Sequence, residues 1–369
     1  MSYPVELMGL TLKNPVITAA GPWARDGASI QRCVDAGAAA VITETITLDA
    51  NPVLRPRLYY DDGRLFNIML YSDLQLEQWE AELESVRLGD CKLIASIWAS
   101  TPSELAYLAA RVERMGAHGV EISISAPIGT RNKARDGDPI QISAFLRAVA
   151  AAVDIPIMVK LSYEAAVSLP FVQSIQDSGG AAVSAIDALK GLQGVDLEHR
   201  RPLMPTYGGY SGASIRPVAL AATAILKQYS PLQICAVGGV ETGRHVLEYL
   251  MLGARAVQLG TVLQLEGYGA VPRILGELED WLDSHGMHSL EEIQGSALPA
   301  LFPFEDIAPQ PLTASVGNCP GDCPAPCLEG CLYGAITLQA GRPRVDPALC
   351  QGCGLCAARC PTGTIRLAW

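Results

Sequence analysis

Eight of the eleven cysteines in this chain are spaced for chemistry. Cys350-Gln-Gly-Cys353-Gly-Leu-Cys356-Ala-Ala-Arg-Cys360-Pro361 is a C-x2-C-x2-C-x3-C-P run, the spacing at which thiolates hold a [4Fe-4S] cluster. Three close thiolates wrap one cluster. The fourth, set before a proline, ligates the other cluster where two are held, so the run predicts a companion. Cys319, Cys323, Cys327 and Cys331 supply it, and the segments Cys331-Leu-Tyr-Gly-Ala-Ile-Thr-Leu and Cys360-Pro-Thr-Gly-Thr-Ile-Arg-Leu make the whole an internal repeat. The first run has three residues between cysteines throughout and places Leu332 where the second has Pro361, which leaves a single cluster as the alternative to two. Two [4Fe-4S] clusters are expected. A zinc ribbon needs four ligands, usually as two separated C-x2-C pairs, and fits eight cysteines in a repeat poorly. Cys33, Cys91 and Cys235 stand singly in apolar surroundings and read as buried core thiols.

The rest of the chain must position such clusters against something they can reduce or oxidise. At 369 residues, 49% of them hydrophobic, it is long enough for a large barrel with an appendage. The net charge of -11 argues against nucleic acid, whose phosphates need a basic surface. No apolar run reaches the ~18 residues of a membrane span, and Met1-Ser-Tyr-Pro-Val-Glu lacks a basic region followed by an apolar one. A cytoplasmic protein with no membrane association is expected, in keeping with cysteines that stay reduced.

Eight short β-rich runs alternate with helical patterns: Val16-Ile17-Thr18, Val41-Ile42-Thr43, Leu93 to Ser96, Val120-Glu121-Ile122, Ile157 to Lys160, Val183 to Ile186, Ile234 to Val237 and Val257-Gln258-Leu259. Leu76 to Val86, Ser103 to Met115, Ile142 to Val153, Pro217 to Gln228 and Arg244 to Leu252 carry apolar positions at helical steps. A doubly wound sheet uses the same alternation, but eight units with polar or glycine-rich segments after nearly every strand favour an α/β (β/α)8 TIM barrel, whose site lies in the loops at the strands' C-terminal ends. A proline-rich connector, Leu298 to Leu312, follows. The expected boundary puts the barrel with its connector at 1–310 and a small ferredoxin-like domain at 311–369. That domain, of about sixty residues, is too small to fold on apolar burial alone, so its clusters would be structural as well.

Val237-Gly238-Gly239-Val240-Glu241-Thr242-Gly243 follows the seventh run and Leu259-Gly260-Thr261 the eighth. Barrels often bind phosphate with these two loops and a helix N-terminus, the glycines letting backbone N-H groups come close. Tyr207-Gly208-Gly209-Tyr210-Ser211-Gly212 is a third such loop. Lys160 ends an otherwise apolar strand; its cation could face a ring that gains negative charge on reduction, or form a structural ion pair. A flavin suits both features, since clusters pass single electrons and organic substrates usually exchange two.

Taken together, these residues resemble the dihydroorotate dehydrogenase family and, with the cluster module, the FMN and iron-sulfur part of dihydropyrimidine dehydrogenases. The resemblance rests on Leu12 to Gly21, Asn51-Pro52 with Pro56-Arg57, Asn67, Val159-Lys160-Leu161, Gly209 to Gly212 with Arg216-Pro217, Val237 to Val240, and Val257 to Thr261. It implies a barrel binding FMN, with Ala20, Gly21, Asn67 and Lys160 near the isoalloxazine ring and Ser211, Gly212, Gly238, Gly239, Gly260 and Thr261 around ribityl and phosphate. It also implies electrons arriving through the clusters from ferredoxin or an FAD/NAD(P)-binding partner subunit, in a homodimer or hetero-oligomer. The chain has no strand-borne G-x-G-x-x-G of its own.

The departures fall on the substrate side. The family's fourth-strand motif, N-x-S-C-P-N, here reads Ser123-Ile124-Ser125-Ala126-Pro127-Ile128, so Ala126 stands where the family places its titratable proton donor. Glu44 replaces a lysine, Asp187-Ala188 an N-T pair, and Leu70 and Asp73 a glycine and an asparagine. The expected activity is therefore FMN-dependent hydride transfer on a CH-CH or CH-NH group of a small cyclic or carbonyl substrate other than dihydroorotate. Glu44, Asp187, Tyr71, Ser123 and Ser125 are the catalytic candidates, and the acidic ones could bind a cationic or N-H-rich substrate. A non-catalytic electron-transfer subunit and a redox or ligand sensor are the rival readings.

Overall fold

The computed structural model describes residues 3–53, 55–61, 63–124, 138–307 and 312–367. Ser125, Ala126, Pro127 and Ile128 lie outside them. The chain divides into two compact units, residues 1–300 and 301–369, so most of the proline-rich connector groups with the second unit.

In the first unit eight parallel strands close into a barrel: β1 Val16–Thr18, β2 Ala40–Ile42, β3 Lys92–Ile97, β4 Gly119–Ser123, β5 Ile157–Leu161, β6 Ala182–Ala185, β7 Gln233–Val237 and β8 Ala256–Leu259. They pair in chain order, and β8 returns to β1 through Val257↔Val16. Their side chains are almost all buried, which is why each strand reads as a continuous apolar run rather than an alternating one. Helices begin where caps direct them: Thr101 and Glu104 form a capping box opening Pro102–Arg114, and Asp138 accepts from two backbone amides at the start of Pro139–Ala150. The helix Gly27–Asp35, with its Asp26–Ser29 box, and Ala270–Ser284 were not among the expected elements.

Two insertions shape the ends of the barrel. A hairpin of Val5–Leu7 and Leu10–Leu12 packs Leu7, Met8 and Leu12 against Ile17, Ile94, Met158 and Cys235 inside the barrel. A Cβ on Gly119, the first residue of β4, would meet the Met8 side chain at 2.8 Å, so the hairpin plugs the strands' N-terminal end. At the other end a four-stranded antiparallel sheet forms, in the order Leu189–Gly191, Gly208–Ser211, Arg64–Asn67, Leu58–Asp61. Phe66 and Tyr210 stack across it with centroids 4.9 Å apart.

The second unit repeats one small motif. Helices Pro326–Glu329 and Leu355–Ala358 carry Cys327 and Cys356, and each follows a left-handed residue, Ala325 (φ 52°) or Gly354 (φ 73°). Ala314–Val316 pairs with Ile365–Leu367, and Ile336–Gln339 with Arg342–Val345. The buried core of this unit is Ala314, Ile336 and Ile365 together with the two cysteines. So small an apolar core leaves much of the fold's stability to whatever the thiolates bind.

Candidate active site and cysteine cavities

The polar floor of the barrel mouth is built by charged and amide side chains that interrupt apolar strands. Glu121 of β4 accepts from Ser184 Oγ of β6 at 2.6 Å and from Gln258 Nε2 of β8 at 2.9 Å. Lys160 Nζ of β5 donates to Gln258 Oε1 at 3.0 Å and lies 3.9 Å from Glu121 Oε1. All four are buried. Burying ions is costly unless they are paired and hydrogen-bonded, and this network meets that condition while leaving Lys160 on the cavity wall. Glu121 and Gln258 were inside expected strands but were not marked as site residues. The signal was there, since a carboxylate in the middle of a buried strand demands a partner.

Above this floor lie two cavities that share Ala20, Trp23, Asn67, Lys160, Ser211 and Thr261 in their walls. Gly212, Gly238, Gly239 and Gly260 line only the second. Gly239 has φ +65°, and a Cβ there would stand 2.8 Å from both Arg216 Cβ and the Gly212 carbonyl oxygen. Gly238 has φ +137° and would place a Cβ 2.6 Å from that of Ala219. Beneath this turn the fully buried Tyr249 donates its hydroxyl to the Gly238 carbonyl, fixing the backbone. Helix Thr261–Glu266 starts at Gly260 with no side chain capping it, and Thr261 Oγ1 donates to Ser211 Oγ at 3.0 Å. Asn67, from the capping sheet, reaches the Gly209 carbonyl at 3.2 Å. Trp23, not anticipated, lies against Gly21, its indole N-H donating to the Ala19 carbonyl.

The catalytic candidates gather at the first cavity. Glu44, Tyr71 and Ser123 line it, and Asp187 lines both. Tyr71 packs against Trp98 with ring centroids 5.2 Å apart. Ser123 is beside Lys160 in the β4–β5 register. Asp73 is exposed and does not line the cavity; Ser125 lies outside the described residues. Glu44 is held rigidly: its amide donates to the Ala24 carbonyl, and the flanking Thr43 and Thr45 hydroxyls bond to the Ser96 backbone amide and hydroxyl. Its side chain is buried, and burial pushes the carboxyl up to about 7, with nearby Arg57 opposing and Asp73 reinforcing the rise.

In the second unit, Cys331, Cys350, Cys353 and Cys356 line one cavity; Cys319, Cys323, Cys327 and Cys360 line another. Each cavity thus takes three thiols from one run and the last thiol of the other. Among the described residues no three His, Cys, Asp or Glu side chains converge on a single metal ion. Thiols spread around a cavity are what a cubane, rather than one ion, requires. Cys33, Cys91 and Cys235 are buried, their thiols pushed up to about 12, 11 and 12 by desolvation, as inert core residues.

Comparison with known proteins agrees with this architecture. The chain is 31% identical over 305 residues to the dihydroorotate dehydrogenase B (NAD(+)) catalytic subunit of Pyrococcus furiosus, covering 80% of this chain and 99% of that one. It is 33% identical over 304 residues to the protein of the same description from Desulforudis audaxviator, covering 79% and 96%. A crystal structure of the Eimeria tenella dihydroorotate dehydrogenase with ferulenol superposes with a TM-score of 0.68 at 19% identity, over 80% of this chain and 88% of that one, which supports the fold. No helix among the described residues is long and apolar enough to cross a membrane. A 4Fe-4S binding domain model matches residues 343–366, which hold the second cysteine run. A dihydroorotate dehydrogenase model matches residues 3–282, and the chain belongs to that family.

Proposed function

We propose that this chain is an FMN-dependent oxidoreductase with two [4Fe-4S] clusters, acting on a CH-CH or CH-NH group of a small planar substrate other than dihydroorotate. The observation that carries the proposal is the glycine turn at Gly238 and Gly239, where a Cβ would strike Ala219, Arg216 and the Gly212 carbonyl, so that the cavity wall there is bare backbone, joined to a cavity bearing Lys160. The residues fit the cofactor. Gly212, Gly238, Gly239 and Gly260 would admit the phosphate and ribityl chain; Ala20, Gly21 and Asn67 would border the ring, with Lys160 offering a cation to its polar edge. Bound FMN would supply the exchange between single electrons and a hydride. Two clusters are supported by two cavities of four cysteines each. Electrons would enter from ferredoxin or a partner subunit carrying FAD and NAD(P), the second option favoured by relatives named as NAD(+)-dependent catalytic subunits.

Those relatives are named for dihydroorotate, and the departures at Ala126, Ser123, Ile128 and Glu44 argue for a different substrate here. Losing the partners of a buried polar ring costs roughly 1–3 kcal/mol for each group left unpaired. Protonation falls to a group other than Ala126, among them Glu44, Tyr71, Ser123, Ser125 and Asp187. Under anaerobic conditions dihydroorotate should fail to bleach the flavin absorbance on a turnover timescale. Ala126→Cys should not restore bleaching, because the two flanking amides are also missing. Rapid bleaching of the wild-type flavin by dihydroorotate would overturn the substrate assignment.

A further inference from the structure

We infer that Glu44 selects planar ligands presenting an amidinium-like edge of N-H donors, and that the substrate belongs to that class. The inference rests on the oxidoreductase reading above and names its substrate chemistry. Among the described residues, the charged side chains lining the first cavity are Glu44, Glu121, Lys160 and Asp187. Lys160 and Glu121 are already engaged with one another and with Gln258, so neither offers the cavity an uncommitted charge. Glu44 differs: its side chain is 4% exposed, and its Oε1 is buried with no hydrogen-bond partner among the described residues. A buried acceptor without a donor costs free energy that a ligand can recover.

The position of Glu44 decides what that ligand must be. It lines only the first cavity, away from the glycine cradle, so the phosphate loops do not supply its donor. Its backbone is tied to Ala24 and its neighbours to Ser96, which fixes the point from which the side chain extends beside the first cavity. A carboxylate accepts with both oxygens in one plane, and two parallel N-H groups on a flat cation match it best. A ligand carboxylate meets repulsion at the same place. A planar amidine or aminated heterocycle is therefore favoured over an anionic ring.

The pH dependence has a defined sign. Burial holds the proton on Glu44 up to about 7, Arg57 and Arg25 pulling it off and Asp73 and Asp26 retaining it; Lys160, Glu121 and Asp187 share the cavity. A cationic ligand binds the ionised form, so its affinity weakens as pH falls through that value and levels off above it.

Three ligands of one shape test this by calorimetric titration into the FMN-loaded protein at pH 8: benzamidinium, benzamide and benzoate. Benzamidinium should bind at least about tenfold more tightly than benzoate, with benzamide between them. Glu44→Gln should cut benzamidinium affinity about tenfold and flatten its pH profile, and Glu44→Lys should turn the preference towards benzoate. Equal affinities, tighter benzoate, or no measurable benzamidinium binding in the wild type would overturn the inference. So would an unchanged preference in Glu44→Gln accompanied by weakened flavin retention, which would assign the carboxylate to the flavin's own N-H edge. A protein that never contains flavin would instead overturn the functional reading, and the same three ligands would still read the preference of the cavity.

Discussion

Cys360→Ala is expected to cost the protein about half its iron, and the cluster lost should be the one beside Cys319, Cys323 and Cys327 rather than the one in its own run. The cavities make this crossing explicit, since Cys360 joins the first run's cavity and Cys331 joins the second's. Iron content alone does not reveal which cluster has gone, so paired substitutions must. Cys323→Ala added to Cys360→Ala removes a second ligand from a cluster already lost, and should take away little more iron. Cys353→Ala added to Cys360→Ala strikes both clusters and should leave almost none. Such non-additivity is the signature of ligands acting as a unit. If each run served its own cluster, the two double variants would exchange behaviours.

Gly239→Ala is expected to yield protein with iron but little flavin. With φ +65°, an L side chain at this position costs about 1–2 kcal/mol in backbone strain before any contact is considered. The added Cβ would also press on Arg216 and the Gly212 carbonyl at 2.8 Å, and relieving that contact displaces backbone that lines the cavity. A loss of affinity on the order of a hundredfold, ~3 kcal/mol, follows if the displaced backbone gives up two donors to the phosphate. Gly267→Ala is the control: its φ is +78°, nothing lies within 4 Å of the added Cβ, and it lines neither cavity. It should keep its flavin. Flavin released by denaturation, measured against protein, reads both variants, and full flavin in Gly239→Ala would place the cofactor elsewhere.

The barrel strands were legible in the sequence because each is buried on both faces, so Ile157-Met158-Val159 or Ile234-Cys235-Ala236-Val237 reads as an unbroken apolar run between helical periods. The capping sheet was not. Gly208-Gly-Tyr-Ser reads as a loop, and Arg64-Leu-Phe-Asn is short and half polar; both become strands only because they pair with each other over the barrel mouth. The glycine-lined side of the cavities was visible in the sequence, because the spacing of those glycines is local. The network of Glu121, Lys160, Ser184 and Gln258 was not, because its members sit on four strands and meet only after closure. The isolation of Glu44's carboxyl is likewise a property of what surrounds it in space. The sequence boundary near residue 311 marked a change in composition, whereas the compact units part at residue 300, where packing changes.

One chain is expected to couple single-electron carriers to a two-electron site. Anaerobic reductive titration tests it most directly, counting electrons taken up per chain while flavin and cluster absorbances are followed separately. About four electrons are expected, two into one FMN and one into each of two clusters, in a protein with about eight iron. Uptake of about three electrons with about four iron would contradict the crossed pair of clusters, and uptake with no bleaching of a flavin band would contradict the coupling itself.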